Sequence, residues 1–466
     1  MAHPVPRLTG LEAALTLADL GLPSVAAGVI ARRRPVVALL DRMDADARGV
    51  RRLHALRERY GPGPVDIAIP GRHILVPLNP ADVDWVLAQT PHPFHPASWE
   101  KRHALEPFQP RGVLISHGPM RRRRRDFNEA VLDSGAELHR LAPALHAAVA
   151  RHASAFADAV LTAEGFDSAQ FTTAWWRVVR RVVLGAAAED DDAITDDLWR
   201  LRKSGNWSFA GLPHRRRRDR FYAQLYRYAD SPDPDSLMGV LAATPAAGGV
   251  DPVGQVPQWL FAFDAAGMAS LRALALLATH PDALARCEVD DPDSVAVRPF
   301  LRACVLESVR LWPTTPAILR EVTTTTTWHE GTPAAASISP PAAVTTSPPA
   351  SVLIPVPAFH RDPDLLDFAD DFVPDIWLDG TAQRHPQLVP FSAGSAQCPG
   401  RNLVLMTTSA LLAGLLSRAH LTLESGQPLT PQRPLPATLN QFGLAFSARP
   451  RQDQGEPAGP LSVRPA

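Results

Sequence analysis

Cysteine is nearly absent from this 466-residue chain, which carries only Cys287, Cys304 and Cys398. Three cysteines cannot build a disulfide framework, which excludes a disulfide-stapled secreted scaffold and points to a reducing, intracellular setting. Lysine is scarcer still, 2 residues against 45 arginines. That skew, beside 47 prolines and abundant alanine, reads as GC-rich codon usage rather than as chemistry. Neither sign of charge dominates: the formal net charge is −1. A global field drawing the protein to nucleic acid or to an anionic membrane is therefore excluded.

A spanning helix needs about twenty predominantly apolar residues, and no run is expected to qualify. The stretch 11–30 comes nearest, but Glu12, Asp19 and Pro23 interrupt it. Ordinary packing is expected there ahead of an amphipathic membrane contact. The first residues lack the charged start, apolar core and cleavage site of a signal peptide. The expectation is a cytoplasmic protein with no stable membrane insertion. Internal repeats and a linker between self-sufficient halves are also missing, so one domain is expected over residues 1–450.

What is present is a globular composition, 45% hydrophobic and 20% charged, in a chain long enough to enclose a cofactor. Helical periodicity dominates at 120–132, 136–161, 172–187, 194–203, 215–228, 256–278, 300–311 and 400–416. Short β-like runs occupy 65–76 and 317–354, and the Pro- and His-rich stretch 90–112 and residues 206–214 read as loops. Residues 332–350 are almost entirely Pro, Ala, Ser and Thr and are expected to form an exposed insert; 451–466 read as a disordered tail. The fold class is mainly α with a small β portion.

The chemistry concentrates in Pro390-Phe391-Ser392-Ala393-Gly394-Ser395-Ala396-Gln397-Cys398-Pro399-Gly400-Arg401. An iron-binding thiolate needs backbone N–H groups close to its sulfur, and the start of the following helix favours the anion. Gly394 and Gly400 allow turns and close approach. A chance occurrence of Phe-x-x-Gly-x-x-x-Cys-x-Gly in such a composition is on the order of one in a few thousand. Cys287 and Cys304 lack such surroundings and read as buried structural residues.

This segment resembles the heme-binding loop of the cytochromes P450, soluble bacterial type. The resemblance implies heme b, with Cys398 as axial iron ligand and Phe391, Gly394 and Gly400 shaping the loop. The basic residue usual two positions before the cysteine is Ala396. Glu307 and Arg310 resemble the Glu-x-x-Arg pair that buttresses the loop; roughly one such spacing arises by chance, and order along the chain singles this one out. Where the family places a third partner, an arginine, the chain has Ile376; either the triad is absent or Arg361 or Arg384 substitutes. Arg320 and Arg125 match arginines that face the heme, while Arg121 stands at an aromatic position. The run 121–125 otherwise reads as a solvated face.

On the oxygen side, the helix around Phe263 and Asp264 resembles the family's distal helix. Gly267 would leave room for dioxygen, Ala269 stands where an acid is usual, and Ser270 would supply the hydroxyl of a proton relay. Phe94, Trp99, Phe209, Phe263, Thr315, Ile318 and Phe442 would meet substrate. The implied activity is insertion of one oxygen atom of O2 into a small hydrophobic organic substrate, with electrons from a separate ferredoxin or flavodoxin. Alternatives are a peroxide-dependent or non-oxygenating heme-thiolate enzyme, or a catalytically silent heme protein.

Overall fold

The structure, a computed structural model, describes residues 5–69, 71–207, 214–287, 291–329, 344–426 and 428–451. Phe209, most of the expected insert and the tail from residue 452 lie outside these residues.

Helices make most of the single domain, as the periodicity predicts. The central helix, Val256–Thr279, is apolar nearly all round and runs through the core. The span Val253–Thr279 does have the length and apolarity of a membrane span, contrary to expectation. Most of it is buried inside the protein, the behaviour of a core helix. Against it pack Pro299–Leu311, Ser168–Leu184 and Arg401–Leu416. Proline in the first turn starts both Val256–Thr279 and Pro299–Leu311, where its missing N–H costs nothing. Asp167 caps Ser168–Leu184 through a reciprocal pair with Gln170.

The largest of three sheets among the described residues has six strands in the order Arg7–Leu8, Val65–Ile69, Arg72–Val76, Ala350–Pro355, Ala317–Val322, Phe94–His95. Its apolar faces form a second core under the N-terminal helices. Antiparallel register sets Arg320 opposite Val352 and Phe94 opposite Val322. Two expectations need correction. Residues 90–112 hold the strand Phe94–His95 and the helix Trp99–Leu105, which Ser98 caps. The end of the expected insert is structured, since Thr345–Thr346 pairs with Thr326–Thr327 and Ala350 opens a sheet strand.

Candidate functional site

The cysteine loop closes on itself before its helix begins. The Cys398 N–H donates to the Phe391 carbonyl at 2.9 Å, and Gly394 sits at φ +64°. A Cβ on Gly394 would lie 2.1 Å from the Leu87 carbonyl oxygen, so the approach to helix Pro80–Ala88 requires glycine. Gly400 differs from expectation: its φ is −91°, and a Cβ would meet nothing nearer than Leu132 at 3.9 Å. Its contribution is its N–H, which bonds the Cys398 sulfur. Burial pushes the Cys398 thiol up, while that N–H and the Arg125 and Arg401 cations pull the other way. Those three groups favour the anionic sulfur a metal ligand must be. Cys304, buried beside Cys287, has its thiol pushed well up by burial first and by that neighbour second, so Cys304 stays neutral core.

Several cations converge on the same loop. Arg320 donates to Thr90 Oγ1 (3.1 Å) and Ser392 Oγ (3.2 Å). Arg121, in the first turn of Gly118–Val131, donates to the Ser395 carbonyl at 3.2 Å. Arg125, one turn on, reaches the Gln397 carbonyl at 2.6 Å and pairs with Glu129. Lys101 donates to the Leu319 carbonyl beside Arg320 at 3.2 Å. The rings of His95 and His117 stack nearby with centroids 4.3 Å apart. Burial, reinforced by mutual repulsion, lowers Lys101 to about 7, Arg320 to about 10 and His95 to about 4.

Among the described residues no carboxylate forms an ion pair with Lys101, Arg121 or Arg320. Buried cations without anions are costly, and a guanidinium fork is suited to a carboxylate. A cofactor offering two carboxylates and a metal for the nearby sulfur fits this donor set, and heme b is such a group. The run 121–125 is not uniformly solvated: Arg122 and Arg123 are exposed, but Arg121 is buried. Lys101 and His95 escaped the sequence reading because residues 90–112 read as loop.

Glu307 and Arg310 are fully buried and pair at 2.7 Å. Arg310 also donates to the carbonyls of His360, Ala369, Phe368 and Asp371. Glu307 accepts from the Val373 N–H at 3.0 Å and the Trp377 indole N–H at 2.9 Å. Neither expected substitute takes part: Arg361 binds Asp370 with the carbonyls of Leu311, Leu435 and Pro436, and Arg384 binds Thr381. Ile376 is core. The third partner is Trp377.

The distal helix departs further from expectation. Gly267 faces Trp175, and a Cβ there would lie 2.5 Å from the indole. Its glycine makes room for a tryptophan whose Nε1 donates to the Phe263 carbonyl at 2.7 Å. Ser270 is fully buried and its hydroxyl donates to the Ala266 carbonyl. Ala269 presents its carbonyl to Ser308 Oγ. Before its last two residues, the partly accessible positions of the helix are Gln258, Phe261, Ala262, Asp264, Ala265 and Met268, one helical stripe that ends before Ser270. The acid on that stripe is Asp264, paired with Arg202 at 2.5 Å; the next residue, Ala265, has no hydroxyl. Arg202 also binds the Ile30 carbonyl.

Comparison with known proteins bears on this arrangement. The Cytochrome P450 family profile matches residues 263–444, from the distal helix past the cysteine loop. Cytochrome P450 monooxygenase nodW of Hypoxylon pulicicidum is 29% identical over 200 residues, 38% of this chain and 35% of that protein. Cytochrome P450 4A22 of Homo sapiens is 28% identical over 156 residues, 31% of this chain and 28% of that protein. The chain thus spans about a third of the length of the curated relatives it matches. In structure it is similar to a retinoic acid-bound cyanobacterial CYP120A1, with TM-score 0.66, 17% identity and coverage of 85% of this chain and 94% of that one. It is also similar to the cytochrome P450 CYP102L1, with TM-score 0.69, 17% identity and coverage of 97% and 100%.

Proposed function

We propose that the chain is a cytochrome P450 monooxygenase placing one oxygen atom of O2 into a small, mainly hydrophobic organic substrate, a reading supported by the family profile over residues 263–444 and by the shared fold. Heme b, the family's cofactor, supplies when bound the redox chemistry that activates dioxygen. Cys398 would hold the heme iron through its sulfur, whose anionic form the Gly400 N–H and the Arg125 and Arg401 cations favour against burial. Arg320, Arg121 and Lys101 would hold the cofactor's carboxylates. Trp377, Glu307 and Arg310 fix the segment on which the loop rests.

Asp264 is the acid that moves protons toward the reacting oxygen, and Arg202 holds it in place. With Ala265 beside it, the next carrier is water or a hydroxyl of the substrate. Electrons come from a separate ferredoxin or flavodoxin, and the protein works in the cytoplasm.

The observation that carries this reading is the Cys398 loop, with its sulfur-directed N–H and neighbouring cations. A ferrous–CO difference spectrum of the hemin-loaded protein tests it. The thiolate band is expected in the parent and lost in Cys398→Ser; its survival in the variant sinks the ligand assignment. Reduced nicotinamide consumed in step with product, redox partners supplied, supports the monooxygenase. Turnover with peroxide, and none with O2 and reduced redox partners, favours the peroxide-dependent alternative instead.

A further inference from the structure

Residues 28–33 reach the distal side of the domain from outside the stretch that the family profile matches. A Cβ on Gly28 would lie 2.1 Å from the Ala31 carbonyl oxygen, so the turn there, at φ +94°, requires glycine. Ile30 then enters the main core. Its N–H and that of Ala31 donate to Asn206 Oδ1 at 3.0 and 3.3 Å. Arg202, the partner of Asp264, holds the Ile30 carbonyl at 2.7 Å. Two residues on comes Arg32, whose guanidinium donates to the carbonyls of Gly28 (3.3 Å) and Thr314 (2.8 Å).

Arg32 is an interior cation. Burial is the largest influence on its guanidinium and lowers its pKa, while Asp264 and Asp46 act in the other direction. The side chain nonetheless keeps accessible surface. Cys398 combines the same two properties, burial as the dominant influence and surface left open. Groups of that kind line an interior chamber rather than bulk solvent. The distal stripe walls the chamber near Arg32. Asp264 of that stripe acts on the guanidinium, and Met268, one turn on, accepts from Gln441 Nε2 at 3.4 Å. Arg272 binds the same Gln441, and burial first and the Arg32 charge second lower it to about 9.

No counter-ion answers Arg32. Among the described residues no carboxylate forms an ion pair with it. Asp264 gives its carboxylate to Arg202. Asp46 bonds Thr438 and is pushed up to about 6, by burial first. A carboxylate in direct contact with a guanidinium would fall below its ordinary range instead. A desolvated guanidinium without an anion is costly, and its planar fork matches the two oxygens of a carboxylate. An apolar substrate end would leave that cost standing.

We infer that the substrate is an organic acid and that Arg32 anchors its carboxylate, while its apolar body lies along Phe261, Ala265 and Met268 of the distal stripe. The specificity-determining charge thus comes from the N-terminal segment, ahead of the elements that carry the cysteine loop and its buttress. The inference rests on the monooxygenase reading and narrows its substrate class.

The test titrates the spin-state shift of the heme-loaded, full-length enzyme at neutral pH, with octanoate against octan-1-ol and dodecanoate against dodecan-1-ol. In at least one pair the acid should bind roughly tenfold tighter than the alcohol, or better. Arg32→Met should bring the acid down to the alcohol's affinity and leave the alcohol's unchanged. Arg32→Lys keeps a cation and should keep the acid ahead. Asp46→Asn removes a repelling charge and should tighten the acid alone, by roughly threefold. Circular dichroism and the ferrous–CO band establish that each variant is folded and loaded; should Arg32→Met not fold, the parent, Arg32→Lys and Asp46→Asn carry the comparison. Equal affinities in both pairs, no shift with either acid, or a folded Arg32→Met that still prefers the acid overturns the inference. So does an Arg32→Met in which alcohol and acid lose affinity alike, since that marks a structural role. A parent without the thiolate band sinks the monooxygenase reading and this inference with it, whereas an intact band with no preference for the acid sinks this inference alone.

Discussion

The indole N–H of Trp377 donates to Oε2 of Glu307 at 2.9 Å, while Arg310 closes the other side of the same buried carboxylate. A neutral donor thus stands where the resemblance predicted a cation. Trp377→Phe keeps an aromatic ring, though a smaller one, and removes one hydrogen bond to a charged acceptor, whose loss costs about 1.5–3 kcal/mol. Glu307→Gln leaves Arg310 charged and unpaired in the interior and should cost about 3–5 kcal/mol. Chemical denaturation checks both; a Trp377→Phe midpoint equal to the parent's would show that the bond carries no stability.

A pH prediction comes from His360, fully buried, with Nδ1–H donating to the Arg310 carbonyl at 3.2 Å and Nε2 accepting from the Val389 N–H at 3.0 Å. Burial first, and the Arg310 charge second, lower its pKa from 6.5 to about 3. Between those values the unfolded chain binds the extra proton and the folded one does not. Stability is therefore fully present above pH 6.5 and is lost as pH falls toward about 3. Thermal midpoints measured across that window should fall more steeply in the parent than in His360→Gln.

Two glycines should separate. Gly267→Ala drives a methyl into Trp175 and should cost about 1–3 kcal/mol. Gly400→Ala meets no protein atom nearer than 3.9 Å and should leave stability within about 0.5 kcal/mol. Equal losses at the two sites would contradict the packing described.

Proton delivery is tested on the distal stripe. Asp264→Asn should slow product formation by about a hundredfold, the scale of a positioned acid. Ala265→Thr restores a hydroxyl beside it and should raise the fraction of nicotinamide electrons that end in product. Unchanged coupling in both variants would remove Asp264 from the relay.

Cofactor retention reads the cationic cluster. Arg320→Met and Lys101→Met each delete a charge-assisted bond and should speed hemin transfer to an apoglobin acceptor roughly tenfold or more. A rate matching that of exposed Arg123→Met would show that they do not hold the carboxylates.

Much of this was legible in the residues, for physical reasons. Long helices announce themselves by period, and the cysteine loop by a rare combination of turn residues. The central helix is legible, but apolar residues all round it leave its rotation undetermined, so the resemblance alone turns Gly267 and Ser270 toward the site. Only packing against Trp175 and Ser308 sets that rotation. Trp377 was hidden because an indole and a guanidinium share one property, an N–H donor, that no motif records. Lys101 sits in a short helix whose flanking prolines and histidines imitate a loop. Arg121 differs from its neighbours in burial, not in identity, and five identical letters conceal which one points inward.

The bridging imidazole of His360 has a mechanical meaning. One ring reads backbone on both sides, a carbonyl at the end of the buttress helix and an amide two residues before Phe391. The ligand's height is thus gauged from a neighbouring rod rather than from the rod that follows it.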